Sequence, residues 1–291
     1  MLNRVRVISS HSNRCRTVSA AFAEGANAKQ ELVHQQESYT SEEYDSVALY
    51  GLLRGLGDAL EKVRRLGKDW LYMDRGYLNA RHYTGYYSVT VNAFQHSGAG
   101  LFARGEERLK KLKMKWAMEP MKPVGKHILV LPPTFVFGRC VGIDADEWLD
   151  DTIEKLLKCT DRPIVVRQKP NSRLADGKKA VVNTKLAADL KDCHAVVTYN
   201  SKAAIECIVR GYPVLTCTKN CASDMASSDL SSIEIPFYKS DRRRWLATLA
   251  ANQFTLHEMK SGYCLDVLRE DLETGAVEHL SPDEKSTHFF T

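Results

Sequence analysis

Short continuous apolar runs alternate with amphipathic stretches along most of the chain. "RVRVIS" (Arg4 to Ser9), "SVALYG" (Ser46 to Gly51) and "DWLYMD" (Asp69 to Asp74) read as strands, and "LGDALEKVRRLG" after the second reads as a helix. The following "RGYLNARHYTGYYSVTVNAFQHSGAG" is aromatic and polar with little periodicity, and a basic helix is expected over about residues 100–113. "EPMKPVGK" (Glu119 to Lys126), with two prolines and a glycine, reads as a linker. The rhythm then restarts. "HILVLPP", "PIVVRQKP", "KAVVNT", "AVVTY" and "PVLTC" are predicted strands. "DADEWLDDTIEKLLKC", "KLAADLKDC" and "SKAAIECIVRG" are predicted helices, and "DRRRWLATLAANQFTLHEMKSG" supplies terminal ones. Apolar strands alternating with helices predict parallel sheets covered on both faces. The expected fold is α/β, with two Rossmann-like domains, 1–120 and 121–291, facing a central cleft. The last residues, "SPDEKSTHFFT", are expected to form a mobile tail.

The chain has 291 residues, 44% hydrophobic and 26% charged, as in ordinary globular proteins. No window reaches the roughly 18 apolar residues of a membrane helix. "MLNRVRVISSHSNRCR" lacks the apolar core of a signal peptide, so a cytoplasmic protein without a membrane span is expected. Eight cysteines are scattered, and the only close pair, in "CTKNC", has no second pair or histidines at ligand spacing. Reduced packing thiols and no metal site are the expectation. The net charge of +5 lies entirely in residues 1–120, which hold 18 Lys+Arg against 13 Asp+Glu. The run "RGEERLKKLKMKW" (Arg104 to Trp116) is the densest part, either a solvated helix face or an attraction for an anionic partner such as DNA.

In open α/β sheets ligands bind beyond the carboxyl ends of the strands. In the second half those ends carry Thr134, Gly138 and Arg139 on an expected loop, Arg167 and Lys169 in "RQKP", and Thr198, Asn200 and Ser201 in "TYNS". Cations, hydroxyls and a helix start suit a phosphate, because a helix N-terminus presents unpaired N–H groups and partial positive charge. If the strand pattern persists, Arg167 and Lys169 share a side. Ser201 can cap the helix or donate to a phosphate oxygen. Glu206, among apolar helical neighbours, can accept from ribose hydroxyls or pair at the surface with Lys202 or Arg210, four residues away on either side.

"VVTYNSKAAIECIVRGYPVL" resembles the strand–Ser–Ala–Glu–Gly–Pro–strand pattern of the nucleotide-sugar domain of GT-B glycosyltransferases, most of all the capsule polysaccharide synthesis group that includes Kdo transferases. "RQKP" stands where that group has a Lys/His-Pro element, with Lys169 where related transferases often have His. "DRRRWLATLAANQFTLHEMKSG" resembles the group's closing helix pair. The likeness covers about Pro132 to Gly262, and extends to short bacteriophage glycosyltransferase-like proteins, some of which decorate DNA bases. It implies that Arg167, Lys169, Ser201 and Glu206 hold the donor's phosphates and ribose, and the strand-end positions add Thr134, Arg139 and Asn200 to the expected donor site. The cations and the helix N-terminus can stabilise the leaving phosphate, so no metal or other cofactor is expected.

The first half then binds the acceptor. Asp74 is the candidate general base; Arg54, Arg75, Tyr77, Gln95 and His96 are candidate acceptor-side residues, and His82 lies in the same aromatic, amide-rich stretch as His96. The expected activity is sugar transfer from a nucleotide-sugar to a hydroxyl acceptor, with a hydroxylated DNA base among the candidates. The alternatives are a UDP-N-acetylglucosamine 2-epimerase-like enzyme, from whose "DSGGxQEE" pattern "YNSKAAIE" departs, and a non-catalytic nucleotide- or nucleotide-sugar-binding protein.

Overall fold

The computed structural model describes residues 2–33, 43–95, 102–111, 118–172, 174–236, 238 and 241–275. The tail "SPDEKSTHFFT" and His96 lie outside these residues. The chain folds into two α/β units. Within the described residues, one comprises 2–111 with the returning segment 247–275, and the other comprises 118–246. No described helix is long and apolar enough to cross a membrane.

The first unit is built on a six-stranded sheet. β1 (Val5–Ser9), β2 (Gln30–Leu32), β3 (Ser46–Tyr50) and β4 (Asp69–Arg75) are parallel in the order β2-β1-β3-β4. β5 (Tyr87–Val91) pairs antiparallel with β4. The last described strand, β10 (Gln253–Phe254), pairs antiparallel with β5. Alternation along the strands divides their side chains between two faces. Val5, Val7, Ala48, Leu71, Met73, Val89 and Val91 form one core with Val18 and Phe22 of α1 (Asn13–Gly25). Met259 of α9 (Leu256–Lys260) and Leu265 and Leu268 of α10 (Tyr263–Glu273) complete that core. α2 (Leu56–Arg65) packs on β3 and β4.

The expected boundary at 120/121 puts the terminal helices with the second domain. Instead, β10, α9 and α10 complete the first sheet and its core. The aperiodic aromatic stretch contains β5, whose five residues are all buried. The basic helix is α3 (Phe102–Lys111), with two cations turned inward. Arg104 grips Asp271 at 2.9 and 2.6 Å. Arg108 binds Glu258 at 2.8 Å and the carbonyls of Ala250 and Gln253, with its guanidinium 5.7 and 5.3 Å from the ring centres of Tyr86 and Phe254.

The second unit holds four parallel strands in the order β7-β6-β8-β9: β6 (His127–Leu131), β7 (Ile164–Val166), β8 (Cys193–Thr198) and β9 (Val214–Thr216). Ile128, Val130, Ala195 and Val197 pack with Trp148 and Leu156 of α5 (Ala145–Leu157). α4 (Phe135–Val141) follows β6, α6 (Leu186–Asp189) precedes β8, α7 (Ala203–Val209) follows it, and α8 (Arg242–Ala251) leads back to the first unit. "KAVVNT" is not a strand: Val181 is 82% exposed, so no packing draws the segment into the sheet. The cysteines are reduced in the structure. Burial pushes the Cys193 and Cys221 thiols up to about 12 and that of Cys217 to about 11.

Candidate active site

All four strands of the second sheet are parallel, so their carboxyl ends share one edge, and the connections diverge between β6 and β8. Hydroxyls tie these ends together. Thr198 donates to the Leu131 carbonyl at 2.9 Å and accepts from the Ser201 amide at 3.1 Å. The Tyr199 carbonyl accepts from Thr216 (3.0 Å), Thr218 (2.6 Å) and the Asn220 amide (2.9 Å). Asn220, 3% exposed, also donates to Thr216 at 2.7 Å and accepts from the Ala222 amide at 2.8 Å. The Tyr199 ring meets Trp148 edge-on at 5.8 Å. These bonds hold the turn before Ser201 in one conformation, the preorganisation that electrostatic catalysis uses.

Ser201 is partly buried, and its Oγ accepts from the Ala203 amide at 3.3 Å at the start of α7. A hydroxyl that accepts there retains a proton to donate. Asn200 sits beside it on the same turn. Thr134 caps α4, its Oγ1 accepting from the Phe137 amide at 3.3 Å. Gly138 and Arg139 therefore lie on a helix rather than the expected loop, with Arg139 exposed. Gly142 ends that helix in the left-handed conformation favouring glycine.

Arg167 lies just past β7 and is 11% exposed. Its guanidinium is ion-paired with Asp189 and donates to the Thr184 hydroxyl and carbonyl, both at 3.0 Å. β7 ends at Val166, so strand alternation does not extend to Lys169, which is exposed on the following loop. Glu206 is 41% exposed and accepts from Arg210 Nε at 2.9 Å. That is the surface i,i+4 pair, worth about 0.3–0.5 kcal/mol.

In the first unit, Asp74 is partly buried near the end of β4, opposite Ser88. Burial, and next the charge of Asp74, push the Tyr50 phenol far above its ordinary range. Arg75 closes β4. Arg54 is exposed on a turn with a left-handed backbone, whereas Tyr77 (6% exposed) and Gln95 (9%) are buried. The structure thus gathers Thr134, Asn200 and Ser201 at neighbouring strand ends, with Asp74 and Arg75 at an edge of the other sheet. Sequence reading missed Asn220. Its signal was weak, one amide inside the polar run "CTKNCAS".

No protein-family model matches the sequence, and no curated protein matches it. Solved structures similar in fold include two transferases of Thermosulfurimonas dismutans KpsC. The β-Kdo 2,4 transferase is 15% identical over 87% of this chain and 90% of that one, with a TM-score of 0.47. The β-Kdo 2,7 transferase is 12% identical over 92% and 99%, with a TM-score of 0.48. A third is the Methanocaldococcus jannaschii UDP-GlcNAc 2-epimerase in complex with UDP-GlcNAc and UDP, 12% identical over 91% and 99%, with a TM-score of 0.30.

Proposed function

We propose that this protein is a glycosyltransferase that moves a sugar from a nucleotide-sugar to a hydroxyl acceptor. The observation that carries the reading is the parallel edge where Thr134 and the turn Asn200–Ser201 lie at adjoining strand ends, the turn braced by Thr198 and Asn220. The resemblance of residues 132–262 to the nucleotide-sugar domain supports it. In this reading the Ser201 hydroxyl donates to a phosphate oxygen, and the exposed Lys169 neutralises the diphosphate as the glycosidic bond breaks and charge grows on the leaving nucleotide. Arg167, bound to Asp189, serves better as a brace for the loop after β7 than as a direct phosphate ligand. The acceptor is assigned to the first unit, with Asp74 removing its hydroxyl proton. DNA gains no support from α3, because Arg104 and Arg108 are engaged within the unit.

The test is calorimetric titration of UDP, CMP, GDP, ADP and dTDP into the whole chain. One nucleotide is expected to bind selectively, and Ser201→Ala and Lys169→Ala each to weaken it about tenfold, the loss of one charge-assisted contact. Unchanged affinity in both folded variants would sink the site. Incubating the cognate nucleotide-sugar without acceptor then separates the epimerase reading, in which the sugar is interconverted alone.

A further inference from the structure

The carboxyl edge of the first sheet carries its own cluster of cations. The connections diverge there between β1 and β3, and α1 begins directly beyond β1. Arg14, in the first turn of α1, reaches His82 Nε2 at 2.5 Å, and Arg75, at the end of β4, reaches the same atom at 3.0 Å. A ring nitrogen that accepts must be unprotonated, and one lone pair cannot serve two donors equally well. His82 is exposed, and partial loss of hydration, followed by the charges of Arg14 and Arg75, lowers the readiness of the imidazole to take up a proton. Two guanidinium groups thus converge on one imidazole nitrogen.

Arg14 Nε is buried and has no hydrogen-bond partner among the described residues. Ser12, the N-cap of α1, makes no side-chain cap bond, and the first turn of this 13-residue helix has no acidic residue. Strand alternation sends Arg75 to the face covered by α1, and the Tyr50 phenol feels the charges of Asp74, Arg14 and Arg75 together. Tyr50 and Tyr87 meet edge-on at 5.8 Å beside the cluster. His82 is carried by a closed loop in which the Gly85 amide donates to the Arg81 carbonyl at 3.1 Å and the Tyr86 amide to that of Asn79 at 3.2 Å. A Cβ on Gly85 would fall 2.2 Å from the Arg81 nitrogen, so the loop demands glycine there.

We propose that Arg14 and Arg75 form an oxyanion-binding site at the carboxyl edge of the first sheet, taking a carboxylate or a phosphate monoester, with His82 occupying the guanidinium groups when the site is empty. Guanidinium forks match such anions with paired hydrogen bonds. On the transferase reading, the anion is borne by the acceptor.

The test is titration of inorganic phosphate and, separately, glucuronate into the whole chain without nucleotide. Saturable binding of at least one, followed at the His82 ring nitrogens, is expected, weakened tenfold or more by Arg14→Gln and by Arg75→Gln. Phosphate alone points to a phosphorylated ligand and glucuronate alone to a sugar acid. In the unsubstituted protein the His82 Nε2 nitrogen resonance should move as the anion binds, a readout that needs no variant. Absence of saturable binding, binding indifferent to both arginine variants, or a static His82 resonance at saturation overturns the site. Failure of nucleotide binding in the second unit would remove the transferase reading and leave this site standing.

Discussion

At the residue scale the same side-chain chemistry takes opposite roles according to its partners. Arg167 and Lys169 look alike in "RQKP", yet one is held by Asp189 and Thr184 while the other is exposed. Glu206 is satisfied four residues along its own helix. The Asn220 side chain holds four backbone and hydroxyl partners at once, so Asn220→Ala should cost about 1–3 kcal/mol in chemical denaturation, the price of orphaned buried groups. It should also weaken the cognate nucleotide, because the turn before Ser201 loses its brace. Asp74→Asn should leave nucleotide affinity intact and abolish transfer, measured by product formation with the cognate donor.

Glu258 carries a pH prediction. Burial opposes its charge, but Arg108 and the amide and hydroxyl of Thr255 outweigh burial and hold the carboxyl below its ordinary 4.5. A depressed folded value means that the stabilisation is present above about pH 4.5 and is lost as pH falls through the lower folded value. Melting temperature should therefore fall with acid more steeply for the natural protein than for Glu258→Gln.

At the element scale, close backbone approach overrides helix propensity. Gly105 lies in the middle of α3, where alanine ordinarily gains about 1 kcal/mol. A Cβ there would fall 1.9 Å from the Ala247 carbonyl oxygen of α8. Gly105→Ala is therefore expected to destabilise, and a raised denaturation midpoint would refute that packing. Trp148 is fully buried against Tyr199 under the second sheet, so Trp148→Ala should cost about 3–5 kcal/mol in the same assay. The elements that periodicity missed share a cause. α1 is rich in small and polar residues, β2 has three residues and β10 two, and β5 is buried at its polar Ser88 and Thr90 as well as at its apolar positions. Each depends on neighbours for its identity.

At the scale of the whole molecule, the chain returns to where it began. β10, α9 and α10 place Phe254, Met259, Leu265 and Leu268 in the same core as Val7, Phe22 and Leu71. A chain ending at residue 246 should lose the cooperative unfolding of the first unit, visible as loss of slow amide exchange in β3 and β4.

The sequence by itself determined the α/β class, the parallel strands of the second half and the strand-end position of Thr134, Asn200 and Ser201, because continuous apolar runs and the turn chemistry between them are local signals. Only the tertiary structure decided that the terminal helices serve the first unit, that Arg104 and Arg108 face Asp271 and Glu258 rather than solvent, and that Arg14, Arg75 and His82 converge. Those outcomes join residues far apart in the chain. They are settled by which buried charge finds a partner and which apolar face finds cover, and neither is encoded in any single window.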